Sequence, residues 1–170
     1  MSNYEQRAVK FAAILARYFH DCETLDEYID AIEFYNAVHT NKLNYDFGVS
    51  RIAIIRSDYV IKIEYLNDDE EWQDKHAGTN QTEADVYEQA CKDGFEYLLA
   101  KTTLMKINGR EFAIMPRVRY INDYKRDYED YLTYAERKWI YNHVYDIHRG
   151  NVGYKNHKPV IIDYAWSTAL

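Results

Sequence analysis

Proline and glycine are scarce: two and six among 170 residues. That excludes a collagen-like chain or a Pro/Gly-rich linker. Cysteine is scarcer than any disulfide scaffold allows, with only Cys22 and Cys91, far apart and in no metal-ligand spacing. Two free thiols in a reducing compartment are expected. Positive charge is in deficit: 21 Lys and Arg face 28 Asp and Glu, a formal charge of −7. A basic face for nucleic-acid phosphates is therefore not expected, although a local phosphate site stays open. No apolar run approaches the roughly 20 residues a membrane span needs. The N-terminus opens on charged, helix-compatible residues and not on an apolar signal segment. A cytoplasmic protein with no membrane partner is the expectation.

What is present is apolar and aromatic. Hydrophobic residues make up 47% of the chain and 18 residues are tyrosine, enough for a core without staples. Val9, Ala12, Ala13, Ala16 and Phe19 recur at helical spacing and predict a helix over 3–20. A second is predicted from Leu25 to about Val38, opened by the capping box Thr24-x-x-Glu27. A short polar connection over 39–44 follows. The period then shortens: "GVSRIAII" (48–55) and "DYVIKIEY" (58–65) read as a hairpin or meander. An acidic loop (66–80) and a helix over about 82–93 come next. "TTLMKI" and "REFAIMPRV" flank Asn108-Gly109, a strong hairpin signal because both turn positions need positive φ. Residues 123–145 read as helix, with Tyr124, Tyr128, Tyr131 and Tyr134 along one face. A loop and the strand "KPVIIDY" follow. The order αα, ββ, α, ββ, α, β is an α+β arrangement, not an alternating α/β one.

The chemistry concentrates in "YDIHRGNVGYKNHKPVIIDYAW" (145–166). Asp146 and Asn151 lie five positions apart, and Asp163 ends the last apolar strand. Carboxylate and amide oxygens converging on one point suit Mg²⁺, which takes its remaining ligands from phosphate and water. His143, His148 and His157 match no zinc-ligand spacing. Upstream, Lys62 interrupts the apolar run "VIKI". An ammonium there is costly to bury unless it meets an anion. Glu83 is the candidate partner, with Glu88 as the alternative. Asn80-x-x-Glu83 is also a plausible capping box, which would occupy Glu83 at the helix start. Lys62 could equally snorkel from an edge strand.

"DIHRGN", followed by an apolar strand and Asp and preceded by a strand Lys and a helical Glu, resembles the order of parts in protein kinases. It looks most like short phage-encoded Ser/Thr protein kinase domains, and the resemblance covers about 43–166. It implies a truncated, protein-kinase-like bilobal fold: an N-terminal helical pair (1–42), a β-rich lobe (43–118) and a reduced helical lobe (119–170). It implies ATP and Mg²⁺ as cofactors and a host protein as substrate. On that resemblance Lys62 would hold the α- and β-phosphates and Glu83 would orient it. Gly48 stands for the Gly-rich loop, and Met115 would lie near the adenine. Asp146 would take the substrate's hydroxyl proton, His148 would sit near the γ-phosphate, and Asn151 with Asp163 would bind Mg²⁺.

The pattern departs from the family in four places. One glycine, Gly48, stands where three are usual, leaving Ser50 and Arg51 as alternative phosphate contacts. Asp163-Tyr164-Ala165 replaces Asp-Phe-Gly. Val144-Tyr145 replaces His-Arg before the Asp. No activation segment follows Asp163 before Leu170. Two rivals therefore stay open. One is a kinase-fold binding module that inhibits a host or defence protein without phosphotransfer. The other is a small-molecule kinase. Self-association is also left open.

Overall fold

A computed structural model of the chain describes residues 1–66, 78–118, 127–144, 147–156 and 158–164. The chain divides into two compact units, 1–80 with 103–117, and 81–102 with 118–170.

The first unit is built on a five-stranded antiparallel sheet. Its strands are β1 (Asn44–Phe47), β2 (Arg51–Ile55), β3 (Tyr59–Glu64), β4 (Thr103–Ile107) and β5 (Arg110–Pro116), in the order β1-β2-β3-β5-β4. The β2–β3 and β4–β5 hairpins are those read from the sequence. Asn108 and Gly109 both have positive φ (52° and 85°), as the two-residue turn demands. β1 follows the polar connection expected over 39–44 and overlaps it only at Asn44. Tyr45 and Phe47 alternate with Asn44 and Asp46, but only Tyr45 is partly buried. Backbone pairing to β2 and the packing of Tyr45 on the core recruit it.

Two helices, α1 (Asn3–Tyr18) and α2 (Leu25–Val38), belong to this unit. The Thr24 capping box forms, with the Glu27 carboxylate accepting the Thr24 N–H at 2.9 Å. Alternation along β3 sends Tyr59, Ile61, Ile63 and Tyr65 into one cluster with Ala8, Ala12, Leu15 and Phe19 of the α1 segment and Tyr28 and Ile32 of α2. β2 and β5 add Ile52, Ile54, Phe112 and Ile114. Each such aliphatic or Phe side chain stabilises the unit by about 1.5–3 kcal/mol on burial. Arg110 is tied in by its hydrogen bonds to the Tyr28 hydroxyl and, at 2.7 Å, to the Cys22 carbonyl. Burial pushes the Cys22 thiol above its ordinary pKa, although Arg110 opposes the shift. Cys22 and Cys91 are both free thiols.

Helix α3 (Thr79–Asp93) starts three residues earlier than periodicity suggests. The reason is Glu64, at the end of β3. Its carboxylate accepts the Asn80 N–H at 2.5 Å, the Gly78 N–H at 3.2 Å and the Thr79 hydroxyl at 3.2 Å. A carboxylate there satisfies orphan amides and favours the positive end of the helix. The cap lies in another element, so sequence-local reading cannot see it.

The second unit holds the rest of α3, a 3₁₀ turn at Glu96–Leu98, another at Tyr128–Tyr131, helix α4 (Tyr134–His143), a 3₁₀ turn at Arg149–Asn151, and a ribbon of β6 (Val152–Lys155) with β7 (Lys158–Ile161). Val86, Ala90, Leu98, Leu99, Leu132, Trp139, Ile140, Val144, Ile161 and Tyr164 form its core.

Two expectations are corrected here. The helix over 123–145 is not continuous. Thr133 is extended (φ −68°, ψ 165°) and starts a new helix through a capping box with Glu136, so the tyrosines share no helix face. Tyr134 is 76% exposed, and Tyr124 lies outside the described residues. Secondly, 152–155 is a strand, where a loop is expected, because it pairs with β7.

The indole N–H of Trp139 donates to Asp93 at 2.8 Å. That bond, then the Gln89 amide, holds the Asp93 carboxyl below the usual carboxylate range. A carboxylate depressed in the folded state contributes stability above its unfolded value, about 3.9. The contribution is lost as pH falls through the folded pKa. In Trp139→Phe, the Asp93 titration followed by carboxyl NMR should move upward. An unmoved titration would remove the indole as the cause.

No helix among the described residues is long and apolar enough to cross a membrane.

Candidate active site

In the first unit, Lys62 occupies the middle of β3 and is only 6% exposed. It is a central-strand residue, so the edge-strand alternative does not hold. Its direct cross-strand neighbours are Ala53 on β2 and Ala113 on β5. Directly opposed residues share a face, so the ammonium stem lies between two methyl groups, on the sheet face away from the Ile61 and Ile63 cluster. Met115, buried and opposite Val60, belongs to that same face.

Gly48 sits in the turn between β1 and β2. Its N–H donates to the Arg51 carbonyl at 2.9 Å and its carbonyl accepts the Tyr65 hydroxyl at 2.5 Å. A Cβ built there meets nothing within 4 Å, so the local backbone does not itself require glycine. Ser50 and Arg51, the alternative phosphate contacts, are committed to the start of α3. Ser50 Oγ lies 3.5 Å from the Thr79 hydroxyl, and Arg51 Nη1 lies 3.5 Å from Asn80 Oδ1. Arg51 is buried, not a surface side chain.

In the second unit, the β6–β7 ribbon determines what meets. Its register pairs Val152 with Ile161, and one step beyond, the Ile162 N–H donates to the Asn151 carbonyl at 2.8 Å. Asn151 and Asp163 are thereby brought to the same open end of the ribbon, although twelve residues apart in sequence. The next residue, Tyr164, is anchored twice. Its N–H donates to Glu83 Oε1 at 3.3 Å, and its hydroxyl lies 2.5 Å from the Ala100 carbonyl and 2.8 Å from Thr102 Oγ1. Glu83 is fully buried and belongs to this cluster. The Asn80–Glu83 capping box does not form, since the helix starts at Thr79 and its cap is Glu64. Glu88 is exposed and pairs with Lys92 at 3.5 Å.

His148 has a local task. Its Nδ1 accepts the Gly150 N–H at 3.0 Å and so caps the turn Arg149–Asn151. As an acceptor Nδ1 carries no proton, which leaves the ring hydrogen on Nε2. A Cβ at Gly150 would stand 2.8 Å from His148 Cε1 and push the ring off its cap. Asp146 lies outside the described residues, as do Tyr145 and His157. No cluster of three or more His, Cys, Asp or Glu in metal-holding geometry occurs among the described residues.

Three contributors escape sequence reading. Glu64 holds the start of α3, Tyr164 locks the segment after β7, and Gly150 admits the His148 cap. Gly150 carried a signal, a glycine in a polar loop, and Tyr164 stands at the Phe position of the Asp-Phe-Gly pattern.

Asn151 and Asp163 offer an amide oxygen and a carboxylate, the hard donor set that Mg²⁺ accepts when phosphate completes the shell. The donor chemistry therefore fits that ion.

No family model matches the chain, and no curated protein matches it. Among solved structures, it is similar to the medium-resolution structure of the bifunctional kinase-methyltransferase WbdD. Identity is 15% and the TM-score is 0.46. The match covers 71% of this chain and 30% of that one.

Proposed function

We propose that the chain is a phosphotransferase of truncated protein-kinase-like fold, moving the γ-phosphoryl of ATP·Mg to a hydroxyl, with Ser or Thr of a host protein as the acceptor. The observation that carries the reading is the end of the β6–β7 ribbon. There Asn151 is tied through its backbone to Ile162, beside Asp163, and Tyr164 is fastened to the buried Glu83. A metal site for phosphoryl transfer gains from ligand residues whose backbones are fixed before substrate arrives.

The roles follow. Asn151 and Asp163 would hold Mg²⁺, which supplies charge neutralisation at the phosphates. Lys62 would hold phosphate oxygens on the face it shares with Ala53, Ala113 and Met115, and Glu83 would orient it. Asp146 would accept the acceptor's hydroxyl proton. His148 keeps the Arg149–Asn151 turn in shape and leaves its Nε2–H as a donor toward phosphate. In this scheme the protein positions and neutralises charge, and forms no covalent intermediate.

A second reading has an observation in its favour. Ser50 and Arg51 are engaged with α3, and Gly48 is not demanded by its backbone, so the phosphate-loop side is sparse. That suits a binding module that blocks a host or defence protein. The two readings separate in one experiment. Purified protein is incubated with γ-labelled ATP, Mg²⁺ and lysate, wild type beside Asp146→Ala. Label transferred only by wild type is the expected result. Equal label, or none in either, would overturn phosphotransfer.

A further inference from the structure

The N-terminal helices bury one side in the first unit and leave another side open. On α1, Lys10, Ile14 and Arg17 recur at i, i+4 and i+7 and are all exposed, so they share one solvent face. On α2, Asp30, Glu33, Phe34 and Val38 do the same. Ile14, Phe34 and Val38 are 42%, 61% and 56% exposed. The two faces join: the Tyr18 ring, one turn beyond Ile14, lies 6.4 Å from the Phe34 ring. The result is one apolar strip with a basic rim on α1 and an acidic rim on α2. Among the described residues, none of Lys10, Arg17, Asp30 and Glu33 forms an ion pair.

We infer that this strip is a two-fold interface between two copies of the chain, in which Lys10 and Arg17 on α1 of each copy face Asp30 and Glu33 on α2 of the other. The argument is charge complementarity within a single patch. A two-fold contact places the same surface on both partners, so that surface must complement itself. A patch of one sign cannot. A patch with an apolar centre and opposite rims can, because rotation by 180° lays each rim on its opposite. The chain as a whole carries −7 and its copies repel at long range. At the contact Lys10 and Arg17 meet Asp30 and Glu33, with exposed Asp26 one turn before Asp30 extending the acidic rim, so attraction across the strip works against that repulsion. A foreign basic or acidic partner would match only one rim.

The test is sedimentation equilibrium of the full chain over a wide concentration range, at low and high salt. The wild type should pass from monomer to dimer, with weaker association at high salt. Asp30→Lys/Glu33→Lys makes both rims basic, and Lys10→Glu/Arg17→Glu makes both acidic. Each double variant alone should dimerise at least about tenfold more weakly. Mixed in equal amounts they should recover the wild-type affinity as a heterodimer, since each rim again meets its opposite. That recovery also proves both variants folded. A wild type that stays monomeric throughout, one that grows into open polymers, or a mixture no tighter than its components would each overturn the inference.

Discussion

Asp163→Ala should abolish the rise in melting temperature that Mg²⁺·ATP gives the wild-type chain. A ligand bound only by the native state at about 100 times its dissociation constant stabilises by about 2.7 kcal/mol. For a chain of this length that is a rise of roughly 5–10 °C. Among the described residues Asp163 is the carboxylate at the open end of the ribbon beside Asn151, so its loss removes the charge that the metal would use. Asn151→Ala, which takes only a neutral oxygen, should retain part of the rise. Transfer of labelled phosphate should fall in Asp163→Ala by about 10²-fold or more, the usual cost of one electrostatic stabiliser. Asp163→Asn guards against a trivial loss of fold, because it keeps size and polarity. Without nucleotide its melting temperature should match wild type, and with nucleotide it should show no rise. A full nucleotide shift in both Asp163 variants would move the metal site elsewhere.

Phe112→Ala should cost about 3–5 kcal/mol of stability, the range for emptying a buried aromatic position. Phe112 is fully buried on β5 and belongs to the cluster of α1, α2 and the central strands. Its direct cross-strand neighbour, Met105, is only partly buried on the edge strand β4 and can lean into the gap, which places the cost toward the lower end of that range. Domains are stable by only about 5–15 kcal/mol, so the loss takes a large share. Urea unfolding followed by tyrosine and tryptophan fluorescence reads it as a lower midpoint. Met105→Ala, partly buried at the edge strand β4, is the control and should cost markedly less. Equal costs at the two positions would mean that Phe112 is not the centre of the unit's core.

Where each reading succeeded or failed has a local cause. The β2–β3 and β4–β5 hairpins were legible because alternation and turn chemistry are both carried within a few residues. Asn108-Gly109 specifies its own backbone. The helix expected over 123–145 was misread because its apolar spacing outweighed a weaker signal in the same stretch, the Thr133-x-x-Glu136 cap. β1 and β6 were missed because each is only four residues long, too short for a pattern to stand out. Each becomes a strand only when a partner offers hydrogen bonds.

The candidate site divides along the same line. By itself the sequence determined the kinds of residue available. They are a Lys inside an apolar strand, a polar loop with Asp146, His148 and Asn151, and Asp163 at a strand end. It also determined the caps and turns that depend on residues within one turn of each other. Only the tertiary structure decided which of them meet. The β6–β7 register brought Asn151 to Asp163, the Tyr164 backbone found the Glu83 carboxylate eighty-one residues away, and Glu64 fixed where α3 starts. It also decided that Ser50 and Arg51 serve that helix. The physical reason is range. Turn and cap preferences act over three or four residues, where the chain's own geometry enforces contact. A hydrogen bond between distant residues forms only after burial of the two apolar cores has brought its donor and acceptor together.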